Sequence, residues 1–475
     1  MSRLRSLIPV GNFGRGVAVL AGGTAFGQAL TILASPVLTR LYGPADFGAL
    51  AVYTSMLGIA GALAALSYHQ AIPLPEGDDD AAQVLGLSLI LTVLVAGLVA
   101  VAVVLGGSRL VKFLDAPALV PYLWMIPLGV LGLTAYEVLT QWAVRRRTFP
   151  AIARTAVARG AAQTGTQLGL GFAGFGSFGL LLGQLLAQWV GSGSLLRRAF
   201  RESRMELRGI TASGMRVAAS RFSRFPRYMA PSVLLNVAGM HAPALLLSYF
   251  FGPIVTGFYA LGARILMMPV SLIAKSASQV FFASAPGYLR EGRLGTEVEV
   301  LFRRMLRLTL APVLIIAVSA PALFAVIFGE EWREAGVYLA WLAPWALFMF
   351  TGTTLSPLIS VLGLQRAGLF FQASLTIVRF ASIIAGGFLN HPLTAIALYG
   401  VSSGICWAVY LYWLLSDSGV RFGTASRISL ASFMTALLPA APAAGCAALS
   451  LSDLATSGAA VAGGMAAVVW AASSK

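Results

Sequence analysis

Five basic side chains lie inside long apolar stretches of this 475-residue sequence. They are Arg154, Arg159, Arg264, Lys275 and Arg379. The same stretches contain one acidic residue, Glu137. An ionised side chain near the centre of a bilayer costs about 2.5 to 3.5 kcal/mol, so each buried cation indicates a functional or tightly partnered group. Because arginine binds phosphate with two parallel hydrogen bonds and stays protonated, the surplus of cations predicts a site for an anionic ligand.

The two arginines nearest the middle of their apolar stretches are the strongest candidates for that site. At a rise of about 1.5 Å per helical residue, Arg264 and Arg379 lie close to the bilayer midplane. Lys275 follows Arg264 by eleven residues, which puts both on one face of a helix unless Pro269 introduces a kink. The alternative for both arginines is a structural role, in which they pair with backbone carbonyl groups.

The remaining basic residues lie nearer one end of their stretches. For Arg159, ligand binding and a structural role are equally open. Arg154 and Lys275 are close to the water interface, where a long side chain commonly extends into water and needs no ligand. The predicted binding set consists of Arg264, Arg379, Arg159, Lys275 and Arg154.

The sequence predicts no catalytic centre, metal site or cofactor. Two cysteines and three histidines exclude a disulfide framework and leave little for metal binding. Gly174 to Gly179 match the dinucleotide pattern G-x-G-x-x-G, but no strand precedes them and no acidic residue follows at the required distance. The sequence contains no P-loop, which excludes direct ATP hydrolysis.

The elements that carry these charges are predicted to be transmembrane helices. Hydrophobic residues make up 58% of the chain and charged residues only 11%, which excludes an ordinary soluble domain. A spanning helix needs about 20 mostly apolar residues. That length predicts fourteen segments, at 16–38, 47–72, 81–106, 119–143, 151–171, 178–198, 229–251, 254–285, 305–328, 336–361, 367–389, 392–415, 429–449 and 457–472.

The loop charges predict the orientation of these helices. Twenty-four Lys and Arg residues fall on the side of the N-terminus and four on the opposite side. Loops rich in Lys and Arg remain on the cytoplasmic side of a membrane, so both termini are predicted to lie in the cytoplasm. The membrane is predicted to be the bacterial inner membrane. Most of the formal net charge of +16 is thereby explained by topology, and nucleic-acid binding is not expected.

Two features of the sequence recur and predict a duplication. Gly43-Pro44 to Ala51 and Gly252-Pro253 to Ala260 share the pattern G-P-x-x-x-G-x-x-A at an offset of 209 residues. The fifth and eleventh segments carry arginines at nearly matching positions. A shift of six helices keeps the orientation, so the prediction is two parallel lobes. They comprise a six-helix lobe at 1–198, a cytoplasmic basic linker at 199–228, a second six-helix lobe at 229–415 and two additional helices at 416–475.

Several segments resemble a known family. They read FGQALTILASPVLTRLYGPADFGALAVY, PYLWMIPLGVLGLTAYEVLTQWAVRRRTF and RFPRYMAPSVLLNVAGMHAPALLLSYFFGPIVTGFYALGARILMMPVSLIAKSASQVFFASA. The chain resembles the polysaccharide transporter, or oligosaccharide flippase, family of the multidrug/oligosaccharidyl-lipid/polysaccharide exporter superfamily. The resemblance covers about residues 16–415 and is not specific for a sugar. It implies alternating-access movement of a polyprenyl-diphosphate-linked oligosaccharide to the periplasmic leaflet, for surface polysaccharides such as O-antigen or exopolysaccharide.

Three ionisable residues of the predicted spans are candidates for ion coupling, against ordinary pairing or packing roles. They are Glu137, His241 and His69. Expected partners are the lipid-linked oligosaccharide, membrane lipids, and a polysaccharide polymerase with other assembly proteins. A multidrug antiporter is the first alternative, disfavoured because cationic drugs require carboxylates. A membrane glycosyltransferase or polymerase is the second, for which Glu137 alone is a thin catalytic candidate.

Overall fold

The computed structural model describes residues 12–269, 274–448 and 452–473, and within these ranges it contains helices and no β-strand. The predicted all-α class is confirmed. Every one of the fourteen predicted segments coincides with helix over most of its length. The residues that carry the predicted cytoplasmic termini, 1–11 and 474–475, lie outside the described residues, as do residues 270–273 of the predicted eighth span.

The helices of the amino-terminal half follow one another with short connections. Their bounds are α1 Asn12–Leu33, α2 Ser35–Leu41, α3 Pro44–Ala64, α4 Asp78–Ala102, α5 Ser108–Phe113, α6 Met125–Arg145, α7 Phe149–Phe172, α8 Ser177–Glu202, α9 Arg204–Arg208 and α10 Ala212–Arg221. Short 3₁₀ turns lie at Tyr68–Ala71 and Pro117–Tyr122, and π-helical turns at Val103–Gly107 and Phe225–Met229.

The helices of the carboxy-terminal half are longer on average. Their bounds are α11 Ala230–Pro269, α12 Lys275–Arg290, α13 Leu294–Phe328, α14 Arg333–Leu355, α15 Leu358–Val361, α16 Gln365–Phe388, α17 Pro392–Asp417, α18 Phe422–Ala448 and α19 Asp453–Ser473. Helix α11 is interrupted at Gly252, whose φ of 79° and ψ of −177° are not helical.

The helices carry the apolar surface of a membrane protein. In the part of the chain that the structure describes, nine helical segments are long and apolar enough to cross a bilayer. The predicted spans in α6, α7, α8 and α19 are also helical but are not among these nine. Helix α4 is the most apolar, yet Leu98 is 68% exposed and Val104, just beyond it, is 84% exposed. Such a face indicates contact with lipid, and the chain is a multi-pass membrane protein.

The chain divides into two compact units, Met1–Pro253 and Ile254–Lys475. The core of the first unit includes Leu85, Trp142 and Leu195, with Ile210 and Phe222 of the basic 199–228 segment packed against it. The core of the second includes Phe302, Leu358 and Leu414. A separate cluster joins α13 to α18 and α19. The two carboxy-terminal helices therefore pack on α13.

The first copy of the repeated glycine-proline pattern forms a helix start. Gly43 is the N-cap of α3, Pro44 occupies its first turn, and the Asp46 carboxylate accepts a hydrogen bond from the Gly43 backbone N–H at 3.1 Å. This arrangement satisfies an otherwise unpaired donor of the first turn. Gly48 packs directly against the backbone of Pro253, in the second copy. A side chain at position 48 would collide with that backbone.

Three glycine pairs have the spacing G-x-x-x-G that permits close helix packing, and two of them, 23/27 and 179/183, lie at helix contacts. A Cβ on Gly23 would lie 2.6 Å from Cβ of Ala153, and one on Gly183 would lie 2.5 Å from Cγ of Gln167. In the third pair, a Cβ on Gly165 or Gly169 would have no described atom within 4 Å, so no described helix packs closely there. Helix α7 therefore contacts α1 and α8 through small residues, and the face with Gly165 is open.

The predicted orientation is testable with exposed reporter cysteines. In a background without Cys406 and Cys446, we expect Met205→Cys and Ser416→Cys to resist an impermeant thiol reagent in intact cells, and Glu331→Cys to react. All three positions are exposed, so the reagent reaches them whenever it is on their side of the membrane. A permeant reagent should label all three. The reverse pattern would overturn the predicted topology.

Candidate functional site

Arg379 lies in an aromatic pocket of the second unit. It is on α16, is 5% exposed, and its guanidinium carbon lies 5.1 Å from the ring centre of Trp345 on α14 and 5.7 Å from that of Tyr399 on α17. Aromatic faces attract a cation. In the described part of the chain Arg379 forms no ion pair, and its Nε makes no hydrogen bond. The charge is therefore held by ring faces and is not neutralised by a carboxylate.

Arg159 has a similar setting in the first unit. It is on α7, with its guanidinium carbon 4.0 Å from the ring centre of Tyr136 on α6, and its Nη2 donates to Oε1 of Gln188 on α8 at 2.7 Å. Gly191 makes room for this arrangement, because a Cβ there would lie 2.6 Å from Cδ of Arg159. The amide oxygen of Gln188 is uncharged. Among the described residues Arg159 thus also has no carboxylate ion pair.

The two arginines share one pattern within their own units. Each lies on the fifth helix of its predicted repeat, over an aromatic ring of the preceding span, with a second partner on the following span. The sequence predicted matching arginine positions but not the aromatic partners. This correspondence supports the predicted duplication.

Arg264 and Lys275 belong to the interrupted stretch that opens the second unit. Arg264 is on α11 and is half-buried, and it forms no ion pair with any described carboxylate. Lys275 begins α12, but its side chain lies outside the described residues, so the predicted shared face with Arg264 stays a prediction. The predicted set is therefore divided between the units, with Arg154 and Arg159 in the first and Arg264, Lys275 and Arg379 in the second.

The candidates for ion coupling have different environments. Glu137 is next to Tyr136 on α6 and is exposed at the surface of the first unit, within reach of the Arg159 charge but without a direct ion pair among described residues. The His241 ring packs on α3, because a Cβ on Gly58 would lie 2.5 Å from its Nε2. His69 lies in the 3₁₀ turn Tyr68–Ala71, and its Nδ1 is buried without a hydrogen-bond partner among the described residues. A packing role suits both histidines.

A cluster of ion pairs and hydrogen bonds, which was not predicted from the sequence, holds the acidic run 76–80 in place. Arg145 Nε bonds Oδ1 of Asp78 at 2.8 Å, and the same guanidinium donates to the backbone oxygens of Pro75 at 2.6 Å and Glu76 at 3.2 Å. Arg146 Nη1 lies 2.6 Å from Oδ2 of Asp78 and 3.4 Å from Oε1 of Glu206. One feature of the sequence could have predicted this cluster: an acidic run at 78–80 and a basic run at 145–147 lie on the same predicted side of the membrane.

Arg154 is exposed at a second basic feature, which we call the basic cavity. This cavity has a volume of about 550 Å³ and lies between α7 and α8. It is lined by Ala151, Arg154, Thr155, Ala158, Ser194, Leu195, Arg197, Arg198, Arg201 and Glu202. The sequence placed Arg154 and Arg197 on separate helices and gave no sign that they face one space.

The all-helical fold, with arginines on apolar helices of each unit, defines a polytopic membrane protein. The chain belongs to the polysaccharide biosynthesis protein family, which it matches over residues 37–337. It is 26% identical over 391 residues to the succinoglycan biosynthesis transport protein ExoT of Rhizobium meliloti strain 1021, covering 80% of this chain and 74% of that protein. The predicted family resemblance is confirmed, as is the prediction of a transporter in place of an enzyme.

Solved structures with the same fold are transporters as well. The lipid II flippase MurJ, in an inward closed conformation, matches with a TM-score of 0.70 at 13% identity, over 97% of this chain and 98% of that one. A multidrug resistance MATE family transporter of the MOP superfamily, facing inward, matches with a TM-score of 0.58 at 15% identity, over 86% and 94%. At these identities the matches define the fold.

Proposed function

We propose that the protein is a flippase that moves a polyprenyl-diphosphate-linked oligosaccharide from the cytoplasmic to the periplasmic leaflet of the bacterial inner membrane. Membership of the polysaccharide biosynthesis family, with a fold that matches a lipid II flippase over nearly the whole chain, carries the proposal. Its product would be a repeat unit for a surface polysaccharide, and a polymerase with other assembly proteins would receive that unit. Both termini are proposed to lie in the cytoplasm.

The charges of the described helices support an anionic cargo. Arg159, Arg264 and Arg379 lie in the spanning helices without a carboxylate ion pair among described residues. Such cations attract a diphosphate, which arginine binds through its planar fork. We assign substrate binding first to Arg264 and Arg379, then to Arg159, Lys275 and Arg154. An outward movement of negative charge is favoured by an inside-negative potential at about 2.3 kcal/mol per charge per 100 mV, so coupling through Glu137 is not required.

Depleting the protein in cells that make the polysaccharide separates this function from its alternatives. We expect the amount of surface polysaccharide to fall and the lipid-linked oligosaccharide to accumulate in the cytoplasmic leaflet. A glycosidase expressed in the periplasm cannot reach it there in intact cells. A polymerase would instead leave single repeat units accessible in the periplasmic leaflet. A multidrug antiporter would change drug susceptibility and leave polysaccharide unchanged, which would refute the proposal.

A further inference from the structure

The basic cavity carries more positive charge than its own acidic residue can neutralise. Four arginines and one glutamate line it. Glu202 is occupied by Arg198, whose Nε bonds Oε2 at 2.9 Å and whose Nη2 lies 2.9 Å from Oε1. Arg154, Arg197 and Arg201 form no ion pair with any described carboxylate. Three guanidinium groups therefore face one space without a negative partner in the described chain.

The shape of the basic cavity follows from the residues of α7 and α8. A hydrogen bond of 2.7 Å from Arg159 to Gln188 joins α7 to α8 next to the cavity. Beyond that link, Ala151 and Ala158 on α7 and Ser194 on α8 are too small to fill the space. The resulting volume of about 550 Å³ is within the range of about 300 to 1,000 Å³ that is typical of small-molecule sites. The cavity can therefore hold a phosphate-bearing group with its counter-charges.

The position of the basic cavity indicates the source of its ligand. It lies at the start of α7 and the end of α8, next to the basic runs 145–147 and 197–227 that predict the cytoplasmic face. Arginines at that level meet the headgroups of membrane lipids. The exposed Phe200 and Leu196, on the same end of α8, provide apolar surface beside the charges.

We propose that the basic cavity, whose lining lies wholly in the first unit and contains neither Arg264 nor Arg379, binds the phosphate-bearing headgroup of a membrane lipid. Arg154 holds the headgroup from α7, and Arg197 and Arg201 hold it from α8. The lipid is either a resident anionic phospholipid or a polyprenyl diphosphate that awaits transport; both present the same phosphate chemistry. The inference rests on the cavity itself and does not depend on the proposed transport.

The test measures lipid binding to the purified full-length protein by native mass spectrometry in a non-ionic detergent. The probes are dioctanoyl phosphatidylglycerol, geranyl diphosphate and, as a neutral reference, dioctanoyl phosphatidylcholine. We expect at least one anionic probe to bind more than about tenfold more tightly than phosphatidylcholine, as charge-assisted hydrogen bonds require. The combined variant Arg154→Gln, Arg197→Gln, Arg201→Gln should lose that preference.

Two further variants separate the basic cavity from general charge attraction. Arg208→Gln, Arg216→Gln, Arg224→Gln removes three exposed charges outside the cavity and should retain the preference. Ser194→Trp keeps every charge but fills the cavity from an exposed position, so it should abolish binding. This variant tests the cavity even if the triple variant Arg154→Gln, Arg197→Gln, Arg201→Gln does not fold.

The competition between probes identifies the lipid. Displacement of phosphatidylglycerol by a lower concentration of geranyl diphosphate would assign the site to a diphosphate lipid, and failure to displace would assign it to a resident phospholipid. Equal losses in the two triple variants, or no preference for an anionic probe, would overturn the proposal. These are binding measurements, so a failed export assay would not affect them.

Discussion

Replacing Arg264 and Arg379 together with alanine is expected to lower polysaccharide export per inserted molecule by about 100-fold or more. Each charge-assisted hydrogen bond to a diphosphate contributes about 1.5 to 3 kcal/mol, so the loss of one such bond at each arginine removes about 3 kcal/mol or more, which corresponds to that factor. Lysine at both positions should retain part of the export, because it supplies charge without the bidentate fork. The measurement is surface polysaccharide per unit of membrane-inserted protein, with the lipid-linked intermediate quantified alongside.

The aromatic setting of Arg379 makes a further distinction possible. Arg379→Met removes the cation–π contacts with Trp345 and Tyr399, which contribute up to about 2 kcal/mol of stability, whether or not Arg379 binds cargo. If Arg379 has only this structural role, the variant should be less stable but should export normally per inserted molecule. If Arg379 binds cargo, export per inserted molecule should fail as well, because methionine carries no charge. Arg366→Ala, an exposed arginine of the same helix, is the control and should leave export unchanged. Full export by the double alanine variant would remove the cationic site from the proposed function.

Arg145→Ala is expected to destabilise the first unit by about 2 to 4 kcal/mol, because it removes the donor to Oδ1 of Asp78, which then keeps only Arg146 on Oδ2, and leaves several backbone oxygens without their donor. The Arg145 side chain is only 9% exposed, and it bonds Asp78, Pro75 and Glu76 at once. Asp78 is 42% exposed, so water recovers part of the loss and keeps the effect below that of a fully buried pair. The measurement is the thermal unfolding midpoint of the detergent-purified protein.

Arg221→Ala is the matched control for this prediction. Arg221 lies 3.3 Å from Asp80 in the same acidic run, but the two side chains are 57% and 64% exposed. An exposed ion pair contributes less than about 1 kcal/mol, so this variant should unfold close to the wild type. Equal destabilisation by both variants would mean that the multiple bonds of Arg145 contribute nothing beyond an ordinary surface pair.

The sequence predicted the helices well because lipid imposes a simple rule. A segment that crosses a bilayer must satisfy its own backbone hydrogen bonds and expose about 20 mostly apolar residues, and both requirements are local. Thus the interruption at Gly252 and the helix start at Gly43-Pro44 lie where the repeated pattern placed them. The charges of Arg159 and Arg379 were also recognised, since an arginine in an apolar stretch is conspicuous whatever surrounds it.

The surroundings of those charges could not be predicted in the same way. A helix that is apolar on every side gives no amphipathic stripe, so its sequence does not indicate which neighbour each side chain faces. Only the packed structure places Trp345 and Tyr399 around Arg379, and Tyr136 over Arg159.

By itself the amino-acid sequence determined the class of protein, the position of the apolar segments, the repeated pattern and the sign of the charge within those segments. These follow from composition and from spacing along one chain. The tertiary structure decided which charges meet: Asp78 with Arg145, separated by 67 residues, and, on two helices, the three arginines of the basic cavity that form no ion pair with a described carboxylate. Such contacts depend on the rotation of each helix and on its distance from its neighbours, and both are determined by side-chain packing between segments that are distant in the sequence.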